Sequence, residues 1–286
     1  MKIAIASGKG GTGKTTLSAN LAHYAAQTKN ITLVDLDVEE PNNNIFIQGN
    51  EIEKLDVFRP VPEWNKDACI LCGKCTKWCK FSALLQLIDE ILVLPELCHS
   101  CYACSELCPV NALPMQDWPL GVYNHIKEGN LDFFYSKLNI GVEQAVPLIA
   151  KTLKNIEELE LDKELEIWDS PPGTSCSMLE VVKNADFVIL VSEPTPFGLF
   201  DLTLAVESVR HINKPVGIVV NRYGIGNDEI FKYCEKEGLP IWATIPNKRE
   251  IAVLYSKGEL IYPHIPEFRA ELDKILDNIE KIRGEQ

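Results

Sequence analysis

The chain has no uninterrupted apolar run long enough to cross a bilayer, which takes about 20 residues, and it is short of positive charge. Its 28 Lys and Arg stand against 41 Asp and Glu, a formal net charge of −13. The first lack argues against a membrane-spanning helix. The second argues against nucleic acid and anionic lipid as main partners, because both are bound through basic faces. No secretory leader is read either: Met1-Lys2-Ile3 runs at once into an apolar strand, where a leader would carry a basic segment and a longer apolar stretch. A cytoplasmic location is the expectation. Near the C-terminus, Phe268, Leu272, Ile275, Leu276 and Ile279 recur at helical spacing over 267–283. Acids and bases are mixed along that stretch, so it reads as a packing helix and not as a membrane anchor.

Cysteine is what the chain has in plenty, ten in all, and eight of them lie between Cys69 and Cys108. They form two matching runs, Cys69-Ile-Leu-Cys72-Gly-Lys-Cys75-Thr-Lys-Trp-Cys79 and Cys98-His-Ser-Cys101-Tyr-Ala-Cys104-Ser-Glu-Leu-Cys108-Pro109. The spacing Cys-x2-Cys-x2-Cys-x3-Cys lets three consecutive thiolates wrap one cubane while the fourth reaches to the other cluster. The expected ligand sets are therefore Cys69, Cys72, Cys75 and Cys108 for one [4Fe–4S] cluster, and Cys98, Cys101, Cys104 and Cys79 for the other. Zinc knuckles would leave the extra x2-Cys spacings unexplained, and a disulfide framework belongs to small secreted domains without a large core. The segment resembles a bacterial two-cluster ferredoxin domain. Lys80 departs from that pattern, standing where the first run usually carries proline. Between the runs, Ala83 to Leu94 reads as a short hairpin turning at Asp89-Glu90. Pro60, Pro62 and Pro114 mark the edges of an insertion over 61–115.

A second motif opens the chain. Lys2 to Ala6 is an apolar strand, followed by Gly8-Lys9-Gly10-Gly11-Thr12-Gly13-Lys14-Thr15-Thr16 and a helical stretch to Gln27. Strand, phosphate loop and helix stand in the required order. Glycines here let backbone N–H groups turn inward on phosphate oxygens at a helix N-terminus. On this pattern Lys14 meets the β- and γ-phosphates of ATP, Thr15 ligates Mg²⁺ and Thr16 touches the α-phosphate.

The lysine ahead of the paired glycines makes the loop resemble the deviant Walker A motif of the MinD/ParA/Mrp and nitrogenase-iron-protein family, over roughly 1–60 and 116–265. That resemblance implies that Lys9 reaches across a dimer interface to the partner's ATP, as a trans version of an arginine finger. It implies that Asp35 lies near the Mg²⁺ shell and Asp37 positions the attacking water. Both come from Ile31-Thr32-Leu33-Val34-Asp35-Leu36-Asp37, where two acids so close together suggest that the strand has reached its open carboxyl end. It further implies that Asp169, in Leu165 to Thr174, holds Mg²⁺ through water, that the Gly173 N–H senses the γ-phosphate, and that Asn221 and Pro246 meet the adenine. Cys176 is read as either a reactive, metal-touching thiol or a small buried residue, and Cys234 as structural.

Strands near 2–7, 31–35, 165–169, 187–191, 216–220 and 240–244 alternate with helices near 14–27, 143–160, 176–184, 198–212, 227–238 and 266–282. This is the pattern of an α/β P-loop NTPase with a mostly parallel, doubly wound sheet, covering 1–60 and 116–286. Residues 116–142 receive no role. The function implied is an ATP-hydrolysing homodimer, or a heterodimer with a related ATPase, whose nucleotide state governs electron transfer or docking of a redox client. Two alternatives are an assembly ATPase that carries a cluster or metal to its client, and a MinD-like positioning ATPase with redox-sensing clusters.

Overall fold

A computed structural model describes residues 1–285. Its central sheet has the order β11-β10-β9-β1-β8-β2-β7-β6-β3. The middle strands are β1 (Lys2–Ala6), β2 (Ile31–Asp35), β8 (Leu165–Asp169), β9 (Phe187–Ser192) and β10 (Val216–Tyr223), with β11 (Ile241–Pro246) outside them. Those from β11 across to β2 pair in parallel. Strands buried on both faces need apolar residues at nearly every position, and β2 and β9 are buried throughout. Helices α1 (Lys14–Ala25), α4 (Ala145–Glu158), α5 (Cys176–Asn184), α6 (Pro196–His211), α7 (Glu229–Glu237) and α9 (Pro266–Glu285) fall close to the expected positions.

Apart from the short helices between the cysteines, four elements were not expected: β3 (Asn50–Pro62), β6 (Met115–Glu128), β7 (Leu131–Leu138) and α8 (Arg249–Ser256). The stretch 116–142, without a role on sequence grounds, is largely a β-hairpin. Its turn falls at Gly129-Asn130, with Gly129 at φ 56°, and β7 then pairs in parallel with β2. These strands give a weak periodic signal: β3 and the first part of β6 are rich in charge and largely solvated, Pro119 interrupts β6, and β7 is mostly buried but mixes Asp132 and Ser136 with its apolar residues.

The chain divides into two compact units. Among the described residues the first comprises 1–54, 123–137 and 149–285. Phe268, Leu272, Ile275 and Ile279 of α9 are sealed in its core, and Leu276 packs partly buried against it, so the apolar stripe read near the C-terminus is a packing face. Truncating Phe268 to Ala would cost about 3–5 kcal/mol. α1 is pinned through buried Asn20, whose Oδ1 accepts the N–H groups of Ile261 and Tyr262 at 2.6 and 3.1 Å.

The second unit comprises 55–122 and 138–148, a wider stretch than the expected insertion. It holds α2 (Lys74–Trp78), the antiparallel pair β4 (Leu84–Gln86) and β5 (Ile91–Val93), and α3 (Ala103–Glu106). The β4–β5 hairpin forms as expected, but its turn has Ile88-Asp89 at the tip between Leu87 and Glu90, one residue ahead of the expected Asp89-Glu90. Around the cysteines its apolar clusters are small, Leu84, Ile91, Cys104 and Leu113 in one and Val61, Ala83 and Cys98 in another. The unit is an internal repeat. Left-handed backbone at Leu71, Gly73 and Ser82 recurs at Ser100, Tyr102 and Asn111, at the same offset that carries Cys69 onto Cys98. Among the described residues no helix is long and apolar enough to cross a membrane.

Candidate functional site

In the first unit, the carboxyl ends of the central strands open onto a cleft of about 430 Å³, where ligands of such sheets bind. Gly10, Gly11, Gly13, Lys14, Thr15 and Thr16 form its floor. Gly13 sits at φ 95°, and a Cβ there would lie 2.2 Å from Asn221 Nδ2, so both backbone and space require glycine. The N-terminus of α1 follows at once, with the Lys14 side chain nearly buried.

Asp35 and Asp169 are register partners on adjacent parallel strands, which brings two fully buried carboxylates to one level. Burial, and for Asp35 the charge of Asp169, push both carboxyls upward. Asn43, which sequence reasoning missed, bridges them: its Nδ2 donates to Asp35 Oδ2 at 3.0 Å and to Asp169 Oδ2 at 2.7 Å. Asp35 also accepts the N–H groups of Asp37, Asn42 and Asn43 at 3.0–3.1 Å. Its carboxylate is thus taken up in shaping the loop after β2, beneath the cleft. Asp169 Oδ1 is buried without a hydrogen-bond partner. An orphaned carboxylate oxygen near Lys14 and Thr15, both of which hold Asp169's pKa down, fits a small divalent cation such as Mg²⁺.

Asp37 lines the cleft. Burial first, then the charge of Asp169, lift its carboxyl to about 6 against the pull of Lys14. Pro246 and Asn221 line it as well, joined by Asn247, Lys248 and Tyr255 at the start and along one side of α8. Asn221 is partly committed, its Nδ2 donating to Thr12 O at 2.7 Å and its Oδ1 accepting the Arg222 N–H at 2.8 Å. Two expected residues are turned elsewhere. The Gly173 N–H donates to Ser7 O at 3.0 Å. Lys9 Nζ lies 3.6 Å from Glu193 Oε2, and Arg222 holds the other oxygen of that nearly buried carboxylate at 2.8 Å. Glu193 ends an apolar strand and Asn43 sits in an Asn42-Asn43-Asn44 run; neither has a local motif to reveal it.

In the second unit the eight clustered thiols sort into two cavities. One is lined by Cys69, Cys72, Cys75 and Cys108, the other by Cys79, Cys98, Cys101 and Cys104. Each cavity therefore takes three thiols from one run and one from the other. Backbone N–H groups donate to sulfur in matching pairs. Leu71 and Ser100 reach Cys69 and Cys98 at 3.4 Å, and Ala83 and Ala112 reach Cys79 and Cys108 at 3.3 and 3.2 Å. Such bonds favour thiolate over thiol. Burial works against ionisation at Cys104, whose thiol, with Cys98 and Cys101 adding to the effect, is pushed up to about 11. Four such groups become thiolates only around a compensating cation centre, so the donor set fits an iron–sulfur cluster. Among the described residues no three His, Cys, Asp or Glu converge on one point as ligands of a single ion. A cubane does not require that, since each thiolate takes a different iron.

Cys176 is exposed as the first residue of α5. Cys234 is buried, and burial lifts its thiol to about 11, in keeping with a structural role.

Comparison with known proteins adds the following. A model of the CobQ/CobB/MinD/ParA nucleotide-binding domain matches residues 3–261. The uncharacterized protein MJ0579 of Methanocaldococcus jannaschii is 34% identical over 265 residues, covering 91% of this chain and 90% of that protein. An iron-sulfur cluster carrier protein of Aquifex aeolicus is 25% identical over 300 residues, covering 98% of this chain and 66% of the carrier. The solved septum site-determining protein MinD of Pyrococcus horikoshii, complexed with Mg-ADP, superposes with a TM-score of 0.59 at 17% identity over 99% of this chain and 97% of its own. That likeness is one of fold.

Proposed function

The chain belongs to the CobQ/CobB/MinD/ParA nucleotide-binding family, and we propose that it is a Mg²⁺-dependent ATPase, dimeric when ATP is bound, whose nucleotide state governs electron transfer or docking through two [4Fe–4S] clusters. The observation that carries the reading is the sorting of eight thiols into two four-thiol cavities in a chain that also has a phosphate cleft.

In the cleft, Lys14 and the N–H groups of the glycine loop neutralise the phosphates. Thr15 and the free oxygen of Asp169 hold Mg²⁺, and Asp35 acts from below through Asn43. Bound there, the ion would neutralise phosphate charge. Asp37, with a carboxyl near neutrality, orients water in line with the γ-phosphorus. The water oxygen bonds to phosphorus, the bond to the ADP oxygen breaks, and the water's proton leaves by way of Asp37 to solvent. Lys9 leaves Glu193 to meet the partner's phosphates, and the Gly173 N–H exchanges Ser7 O for a γ-phosphate oxygen. Asn221 and Pro246 receive the adenine. Switch loops held by a γ-phosphate and released after hydrolysis give each nucleotide state its own docking face.

Cys69, Cys72, Cys75 and Cys108 hold one cluster, and Cys98, Cys101, Cys104 and Cys79 the other. The clusters supply one-electron chemistry. Similarity to the Aquifex aeolicus carrier favours a second reading, in which the protein delivers a cluster to a client. Four ligands per cavity, and in the second cavity the burial of Cys98 and Cys104, argue instead for retained clusters. A positioning role has only the fold of MinD behind it. The test is iron bookkeeping: anaerobic protein should hold about eight irons per chain and keep them through ATP turnover. Iron passed to an apo-acceptor in step with hydrolysis would establish the carrier reading, and zinc in place of iron would overturn both.

A further inference from the structure

The two cavities have matching loops, but among the described residues only the second has a buried cation hydrogen-bonded to the backbone of one of its cysteines. In β3, Val57, Arg59 and Val61 alternate inward and are 4%, 3% and 3% exposed, so an arginine stands where the period-2 pattern calls for an apolar residue. Its Nη1 donates to the carbonyl of Cys98, and its Nη2 to Pro95 O at 2.6 Å. Gln144 Nε2 donates to the same Cys98 carbonyl at 3.0 Å. Among the described residues Arg59 has no carboxylate within salt-bridge distance, and its Nε–H is buried with no partner. Burial lowers its pKa, yet a guanidinium stays charged in proteins. No side chain among the described residues donates to the Cys69 carbonyl, the equivalent position of the first cavity.

A buried positive charge without a counter-charge is unfavourable unless something negative faces it. A cubane held by four thiolates is such a group, and its potential responds to nearby charge and hydrogen bonding. We infer that Arg59 is the positioning and charge-compensating residue of the cluster held by Cys79, Cys98, Cys101 and Cys104, and that it raises that cluster's reduction potential relative to its twin. The inference rests on the two-cluster reading. Lys74, which lines the first cavity, and Lys77 and Lys80, which flank Cys79 of the second, are exposed, so water and salt screen them far more than Arg59. Glu96 is also exposed and only partly offsets the guanidinium.

The test is an EPR-monitored redox titration of anaerobic protein, with the second-quartet couple assigned through the altered signal of Cys101→Ser. Arg59→Gln should move that couple to lower potential by at least tenfold in its oxidised-to-reduced ratio, 59 mV for one electron, and leave the other in place. Arg59→Lys, which keeps the charge, should restore most of the shift. Glu96→Lys, an exposed change that leaves the core alone, should move the same couple upward even if Arg59→Gln does not fold. No shift, an equal shift of both couples, or equal shifts in the Lys and Gln variants would overturn the role of Arg59. Protein without about eight irons would instead overturn the two-cluster reading itself.

Discussion

The two units bury their functional groups in opposite ways. In the first, the phosphate cleft rests on a large apolar core of sheet and helices that closes without help from any ligand, and the charged residues sit at strand ends. In the second, cysteines are themselves core residues: Cys104 shares a cluster with Leu84, Ile91 and Leu113, and Cys98 shares one with Val61 and Ala83. A core that small seldom suffices alone, and metal ligation then becomes folding free energy. On the proposed two-cluster reading, nucleotide is thus an addition to the first unit, whereas iron would be part of the second.

The sharpest way to break this contrast is to remove the iron. Chelation under anaerobic reducing conditions should open residues 55–122 to hydrogen exchange and proteolysis, while 149–285 keeps its protection. Equal protection in both units after iron loss would show that the thiol cavities support themselves.

The next effect belongs to the first unit and separates two lysines of one loop. Lys9→Ala should bind ATP almost normally and lose turnover by about 10³-fold or more, the scale of a lost arginine finger, together with ATP-induced dimerisation. Lys14→Ala should lose binding itself, by about 2–3 kcal/mol or roughly a hundredfold. Titration with a nonhydrolysable ATP analogue, alongside phosphate release, distinguishes them. Normal hydrolysis in Lys9→Ala would mean that its ion pair with Glu193 is its whole role.

The same contrast explains what could be read from the residues. The glycine loop and the cysteine runs are local motifs whose spacing is itself the geometry, and the central strands are apolar throughout because both their faces are covered. β3, β6 and β7 gave no such signal: β3 and the first part of β6 are charged and largely solvated, β7 is mostly buried yet carries Asp132 and Ser136 inside, and Pro60 and Pro62 read as a boundary where the strand in fact runs on to Pro62. Asn43, Glu193 and Arg59 were illegible for a different reason. Each acts by meeting a residue distant in sequence, Asp169, Lys9 and Cys98 respectively, and only the fold makes those meetings.

The smallest effect concerns protons. Asp35 is pushed up to about 8 in the folded chain by burial first and then by Asp169, against roughly 3.9 in an unfolded one. Between those values the folded state holds a proton that the unfolded state has released. Its contribution to stability is therefore full below about pH 4 and fades as pH rises through about 8. Nucleotide-free protein should accordingly lose thermal stability across that window, with the loss seated in the first unit. Mg²⁺-nucleotide should flatten the slope, because a cation beside Asp169 favours the ionised pair. Asp35→Asn should flatten it without nucleotide. If the slope in Asp35→Asn matched that of the parent chain, the buried acid pair would not be its source.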